Sequence, residues 1–189
     1  MDLHSLDKFF FVRHGETDWN LENRFQGQND IPLNDTGRKQ ATEAVDILTT
    51  LGIDMIFCSQ LSRARETSSI FAQKLPVSPE IIVVSEFAEC ESEVTARMIY
   101  SGLGRKNFPS FSEVSKNVET PEGFVARVEQ GLRLIFNNIK GRTPIIVAHG
   151  GTYWAICQLF GVLPNDIPNC RPIKFEKHHG SWSQETIWT

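Results

Sequence analysis

A short apolar run that stops at polar residues restricts the fold of this chain more than any other feature. Residues 9–12 form one such run and lead into Arg13 and His14, and residues 145–148 form another that leads into His149. Runs of this length and composition indicate buried strands. Because parallel sheets bind ligands beyond the carboxyl ends of their strands, Arg13, His14 and His149 are predicted to lie at a cleft.

Segments with helical spacing separate the predicted strands. Two long segments carry apolar stripes, formed by Ala41, Ala44, Val45, Leu48 and Leu51 in the first and by Phe124, Val128, Leu132, Ile135 and Ile139 in the second. Asn34 and Thr36 are both suitable N-caps for the first helix, and Gly52 suits its end. Pro121 suits the first turn of the second helix, and Gly141 suits its end.

Further strands are predicted over residues 53–58, 81–84, 173–176 and 183–188. The alternation of strands and helices predicts an α/β fold, a three-layer α/β/α sandwich with a mostly parallel central sheet. No repeat or linker divides the sequence, so residues 1–189 are expected to form a single domain.

Two segments interrupt this alternation. Residues 19–30 are rich in amides and short of apolar periodicity, which predicts a long ordered loop. Residues from about 95 to 120 contain several Gly, Pro, Ser and Asn, and we expect a lid-like insertion that covers the active site rather than a separate domain. His178 and His179 are expected to lie in the turn between the last two strands.

Composition narrows the classes of function. The formal net charge of -4 argues against general binding to nucleic acid or an anionic membrane, although a local cationic pocket is compatible with it. The four cysteines lie far apart and lack the spacing of a zinc site, so buried, reduced thiols are expected; they are Cys58, Cys90, Cys157 and Cys170. The first residues lack the apolar core of a signal sequence, and a cytoplasmic location is expected.

Other predicted strand ends bring further candidates to the same edge of the sheet. Arg63 lies at the start of a predicted helix, where the amide dipoles favour an anion; a surface arginine paired with Glu66 is the competing interpretation. Glu86 and Glu89 follow the third predicted strand. A histidine nucleophile, a carboxylic acid and several cations form a set that phosphoryl transfer can use.

Motifs along almost the whole chain then combine into a specific pattern. They are Arg13-His14-Gly15-Glu16-Thr17, Trp19-Asn20, residues 24–27, Pro32-Leu33, Gly37, Gln40-Ala41, residues 59–67 and His149-Gly150. With these motifs the chain resembles the histidine phosphatase superfamily, which includes cofactor-dependent phosphoglycerate mutases and many small phosphatases. The combination is specific, whereas Arg-His-Gly alone is not.

The resemblance implies a role for each candidate residue. His14 would be the residue that becomes phosphorylated. The phosphoryl oxygens would be bound by Arg13, Arg63, His149, Asn20 and Gly150. No metal and no cofactor is implied, and the expected partner is a small-molecule phosphate ester.

The resemblance also implies an acid that protonates the leaving oxygen. Glu89 is the choice and Glu86 the reserve, because residues 87–89 match the beginning of the family's acid pattern. The rest of the pattern departs from the family's. Glu93 stands where the family has glycine, and residues 95–97 replace Trp-Glu-Gly.

The function implied first is a metal-independent phosphatase of the small-phosphatase branch that hydrolyses small phosphate monoesters through a phosphohistidine. A phosphoglycerate mutase is the competing enzyme, because residues 19–25 resemble that branch. A phosphohistidine-protein phosphatase is a further enzyme of the same type. The alternative from another class is a relative that binds a phosphate ligand without turnover, which the altered segment after Glu89 keeps open. Natural substrate and oligomeric state are left open.

Overall fold

A six-stranded sheet forms the centre of the molecule. The protein is represented by a computed structural model, which describes residues 7–91, 119–136, 139 and 141–188. The strands are β1 (Lys8–Arg13), β2 (Met55–Cys58), β3 (Glu80–Val83), β4 (Pro144–Ala148), β5 (Ile173–His178) and β6 (Ser181–Thr186), in the order β3-β2-β4-β1-β5-β6. The four strands from β3 to β1 are parallel, and β5 and β6 join as antiparallel strands.

Helices flank this sheet and alternate with its parallel strands. They are α1 (Asp18–Leu21), α2 (Asp35–Leu51), α3 (Ser62–Lys74), α4 (Pro121–Phe136) and α5 (Gly150–Phe160), with a 3-10 turn at Ser85–Phe87. The predicted α/β class with a mostly parallel sheet is therefore confirmed. The predicted insertion at about 95–120 lies outside the described residues, apart from 119 and 120. In the part of the chain that is described, none of the helices combines the length and apolarity that a membrane span requires.

Side chains of β1 alternate between the two faces of the sheet. Phe9 and Phe11 pack with α4 and α5, whereas Phe10 and Val12 pack with α2 and α3. Both cores are lined by fully buried apolar side chains. A strand that is buried on both faces reads as a continuous apolar run, which is why residues 9–12 show no polar alternation.

Two local predictions are wrong at one boundary each. The segment expected to be a loop over residues 19–30 begins within helix α1, because Thr17 and Asn20 form a capping box that a short apolar pattern does not reveal. His178 is the last residue of β5 rather than part of the turn, and its Nε2 lies 3.2 Å from Glu176 Oε2.

Backbone contact between α2 and the loop after β1 fixes the position of that loop. Asn34 is the N-cap of α2, and its side chain accepts a hydrogen bond from the Gly37 N–H at 2.8 Å and donates to Glu16 Oε1 at 3.0 Å. A Cβ on Gly37 would lie 2.1 Å from the Glu16 carbonyl oxygen. Glycine therefore allows the helix and the loop to approach with backbone against backbone.

We expect Gly37→Ala to lower the free energy of unfolding by about 1–3 kcal/mol, because the added methyl group forces α2 away from the loop after β1. Urea denaturation measures this change. Gly123→Ala is the matched control, since the nearest neighbour of a Cβ at this position in α4 is Thr120 Oγ1 at 3.4 Å. Equal unfolding midpoints for the two variants would contradict the close packing.

Candidate active site

The ends of three neighbouring strands bring two histidines and a serine together. The His14 N–H donates to the Ala148 carbonyl at 3.0 Å, and the Ser59 N–H donates to the Val147 carbonyl at 3.1 Å, so the ladder continues one residue past each strand. The ring centroids of His14 and His149 lie 5.2 Å apart. The structure thus brings these two histidines to one edge of the sheet, as predicted.

His14 is buried, and its two ring nitrogens have different partners. Nδ1 lies 2.7 Å from the Gly15 carbonyl oxygen, which can only accept, so Nδ1 carries the proton. Nε2 accepts a hydrogen bond from the Arg63 Nε–H at 3.2 Å. Burial, followed by the charges of Arg63 and Arg13, holds the pKa of His14 well below its ordinary value. The ring is therefore neutral, with a lone pair on Nε2.

Arg63 is 1 % exposed, so the interpretation as a surface arginine is wrong. Glu66, its expected partner in that interpretation, binds Arg38 at 2.7 Å. The Arg63 Nη1 and Nη2 groups donate to the carbonyls of Asn29 and Gly27, each at 2.8 Å. Burial lowers the pKa of Arg63 to about 10, which leaves the guanidinium charged at neutral pH. A buried cation therefore links the loop after α1 to His14.

His149 is also fully buried, and its Nε2 lies 2.8 Å from Ser59 Oγ. Ser59 Oγ accepts the Leu61 N–H at 3.3 Å, so its own hydrogen can be directed at His149 Nε2. Among the described residues, His149 Nδ1 has no hydrogen-bond partner. Burial, followed by the charge of Arg63, holds the pKa of His149 well below its ordinary value. In this arrangement the neutral ring presents Nδ1–H as a donor.

Glu89 lies in the same cluster and is 8 % exposed. Its Oε1 accepts the Cys90 N–H at 2.9 Å, and its Oε2 accepts the Gly151 N–H at 3.1 Å. Each carboxylate oxygen keeps a second lone pair for another contact. The reserve residue Glu86 lies in the 3-10 turn, where its Oε2 accepts the Ser85 hydroxyl at 3.0 Å. The contacts of the two carboxylates therefore favour Glu89.

Three other predicted residues take supporting positions in the structure. Arg13 is half-buried, and its Nη1 lies 3.4 Å from the Ile167 carbonyl. Asn20 uses Oδ1 to accept from the Thr17 N–H at 3.2 Å, so its Nδ2 is the end that can donate to a ligand. Gly150 is the first residue of α5, where the amide groups of a first helical turn lack intrahelical partners.

Several residues that hold the backbone of the site through hydrogen bonds were not among the predicted ones. Thr67 Oγ1 accepts the Gly15 N–H at 3.0 Å, and Asn169 Nδ2 donates to the His14 carbonyl at 2.6 Å. These contacts join elements far apart in sequence, so no local pattern marks them. Gly151 is the exception, because a second glycine in the first turn of a helix lowers helix propensity and thereby indicates a close approach.

Arg127 holds the segment that carries Glu89. Its Nη1 donates to the carbonyls of Glu86 and Ala88 at 2.8 and 3.0 Å, and its Nε lies 2.7 Å from Glu119 Oε1. A guanidinium that forms an ion pair and also binds carbonyls has little freedom to move. The backbone before Glu89 is thus fixed to α4.

The cluster combines a neutral imidazole, a buried guanidinium, a second imidazole and a carboxylate. Within residues 7–91, 119–136, 139 and 141–188, no group of three His, Cys, Asp or Glu side chains is arranged to hold a metal ion. The four cysteines are buried free thiols, as expected. The described side chains can therefore supply a nucleophile, anion-binding cations and a proton-transfer group.

A mostly parallel sheet with two buried histidines and a buried arginine at the carboxyl ends of its strands is an α/β arrangement suited to phosphoryl transfer. The chain belongs to the histidine phosphatase superfamily, since the family model for branch 1 of that superfamily matches residues 9–187.

The names of similar proteins include both phosphatases and phosphoglycerate mutases. The chain is 34% identical over 145 residues to the uncharacterized phosphatase PhoE of Bacillus subtilis, covering 77% of this chain and 72% of that protein. It is 33% identical over 157 residues to the probable phosphoglycerate mutase GpmB of Escherichia coli, covering 75% of this chain and 68% of that protein. The solved structure of a mycobacterial glucosyl-3-phosphoglycerate phosphatase shares the fold, with a TM-score of 0.74 and 22% identity. The match covers 96% of this chain and 98% of that one.

The buried neutral histidines make the protein less stable as the pH falls. Below its ordinary pKa, a histidine takes up a proton in the unfolded chain, whereas His14 does not do so in the folded one. Acidification from about pH 7.5 to about pH 5.5 should therefore cost about 1.4 kcal/mol through His14 alone. Between the two pH values the free energy of unfolding of His14→Asn should therefore change by about 1.4 kcal/mol less than that of the wild type. Urea denaturation in phosphate-free buffer measures both changes.

The control for this measurement is His179→Asn, which removes an exposed histidine from the turn after β5. The pH dependence of this variant should match that of the wild type. A His14→Asn variant whose stability falls as steeply as that of the wild type would show that His14 is protonated in the folded protein.

Proposed function

We propose that this protein is a metal-independent phosphatase that hydrolyses small phosphate monoesters through a phosphohistidine on His14. The observation that carries the proposal is the orientation of the His14 ring, with its proton on Nδ1 toward the Gly15 carbonyl and its Nε2 lone pair beside Arg63. A neutral imidazole held in this tautomer can act as a nucleophile once a phosphoryl group draws the Arg63 Nε–H away from Nε2.

In the first step the Nε2 lone pair forms a bond to phosphorus while the bond from phosphorus to the leaving oxygen breaks. Glu89, which carries a proton in the complex with the ester, gives that proton to the leaving oxygen. Arg63, Arg13, Asn20 Nδ2, the His149 Nδ1–H and the first-turn amide of Gly150 stabilise the charge on the phosphoryl oxygens. Transfer of this kind depends on positioning and charge stabilisation, which these groups supply.

In the second step water attacks the phosphohistidine. The Glu89 carboxylate takes the proton from the water, the bond between phosphorus and Nε2 breaks, and the electron pair returns to the ring as inorganic phosphate forms. One carboxyl group thus acts first as acid and then as base. The cycle returns both side chains to their starting protonation states.

A small phosphate ester is the partner that this site favours. The basic and donor groups of the site are local and largely buried, while the whole chain has a formal net charge of -4. Buried free thiols are typical of reducing compartments, which supports a cytoplasmic location.

Mutase activity is the second candidate, because the similar proteins include a probable phosphoglycerate mutase. A mutase must return the phosphoryl group to a second hydroxyl instead of passing it to water. Its phosphohistidine has to be shielded from water between the two transfers.

The wild type is expected to release phosphate from p-nitrophenyl phosphate with and without EDTA, and His14→Ala is expected to lose that activity. The reason is that the proposed reaction uses the His14 nitrogen and no metal. Phosphate release measures the reaction, and 3-phosphoglycerate is tested in parallel. Isomerisation of 3-phosphoglycerate without phosphate release would favour the mutase, and binding of esters without turnover would favour a non-catalytic relative.

Glu89→Gln should lower kcat/KM for an alkyl phosphate by about 100-fold or more and lower it far less for p-nitrophenyl phosphate, whose leaving group hardly needs a proton. In this mechanism kcat/KM reports only the formation of phosphohistidine, so it separates the acid from the later base. Glu86→Gln is the matched control and should resemble the wild type. Equal losses on both esters would exclude Glu89 as the acid.

A further inference from the structure

We propose that Gly151 is a positioning residue for Glu89, because the missing side chain at the start of α5 creates the space in which the acid is held. The inference rests on the proposed function, in which Glu89 protonates the leaving oxygen. It concerns a residue that itself need not touch the substrate.

The contact between the two residues is too close for any side chain. The Gly151 N–H donates to Glu89 Oε2 at 3.1 Å, and a Cβ on Gly151 would lie 2.1 Å from Glu89 Oε1. The same Cβ would lie 3.2 Å from Cε1 of Phe124, so the space is closed on the far side as well. Real Cβ contacts do not reach 2.1 Å, and the carboxylate would have to move.

The backbone of Glu89 cannot follow such a movement easily. Its carbonyl accepts a hydrogen bond from Gln28 Nε2 at 3.2 Å, and Arg127 Nη1 binds the preceding Ala88 carbonyl at 3.0 Å. Rotation of the side chain is the remaining response. This rotation would break the hydrogen bond from the Cys90 N–H to Oε1, which is 2.9 Å long.

The contact between Gly151 and Glu89 also couples the acid to His149. His149 is the N-cap of α5, and Gly151 is the second residue of that helix. The imidazole of His149 and the carboxylate of Glu89 are therefore both held at the N-terminal end of α5. A displacement at Gly151 changes the position of the acid relative to the phosphoryl site and leaves the chemical groups themselves unchanged.

The test is Gly151→Ala, assayed as kcat/KM for an alkyl phosphate and for p-nitrophenyl phosphate. We expect a loss of about tenfold to 100-fold for the alkyl ester and less than about threefold for the nitrophenyl ester, since only the first needs a placed proton. Gly123→Ala is the control glycine in a first helical turn and should change neither value. Equal losses on both esters would overturn the proposal.

A double-mutant cycle separates positioning from general damage. In the Glu89→Gln background no acid remains to be misplaced, so adding Gly151→Ala should lower kcat/KM for the alkyl ester by less than about twofold. An unchanged, additive loss in that background would overturn the role of Gly151. If the wild type itself shows no His14-dependent turnover, the proposed function fails, and that outcome is distinct from either result with Gly151→Ala.

A measurement of folding keeps the proposal testable if Gly151→Ala unfolds. The clash involves the Glu89 carboxylate, so Glu89→Ala should remove most of the destabilisation that Gly151→Ala causes in urea denaturation. Gly151→Ala is expected to lower the unfolding midpoint in the wild type and to lower it less beside Glu89→Ala. The same shift in both backgrounds would show that Gly151 serves the packing of α5 against Phe124 instead.

Discussion

The buried guanidinium of Arg63 is the group on which the rest of the site depends. Its terminal nitrogens bind the carbonyls of Gly27 and Asn29, and its Nε binds His14 Nε2. An unpaired charge in this position would be costly, and these contacts together with the charges of Glu89 and Asp30 compensate it. The position of the loop after α1 depends on this buried charge, which also reinforces the neutral state that burial imposes on His14.

A cluster with this electrostatic balance is suited to an anionic ligand. Burial and neighbouring cations keep both imidazoles neutral, so His14 retains a lone pair while Arg63 retains its charge. A bound phosphoryl group would bring the negative charge that the arginines favour. The same surroundings that keep His14 unprotonated therefore also favour a phosphoryl group beside it.

The sequence predicts the elements of this fold because β1, β2 and β4 are continuous apolar runs, β5 and β6 alternate between apolar and polar residues, and α2 and α4 each have one apolar stripe. It also predicts that His14, Arg63, Glu89 and His149 converge, since all follow strand ends or begin helices. It does not predict α1, whose four residues depend on the Thr17 and Asn20 cap. Contacts such as those of Asn169 and Arg127 join elements that are far apart in sequence, so no local sequence pattern predicts them.

The burial of β1 on both faces has a consequence for dynamics. β1 lies between β4 and β5, its apolar side chains enter two separate cores, and its backbone is bonded on both edges. Amide hydrogens in such a strand exchange with solvent only through the rarest, most global opening events. The segment that presents His14 should therefore retain its geometry until the sheet itself unfolds, so heating should disrupt this part of the site only together with the sheet.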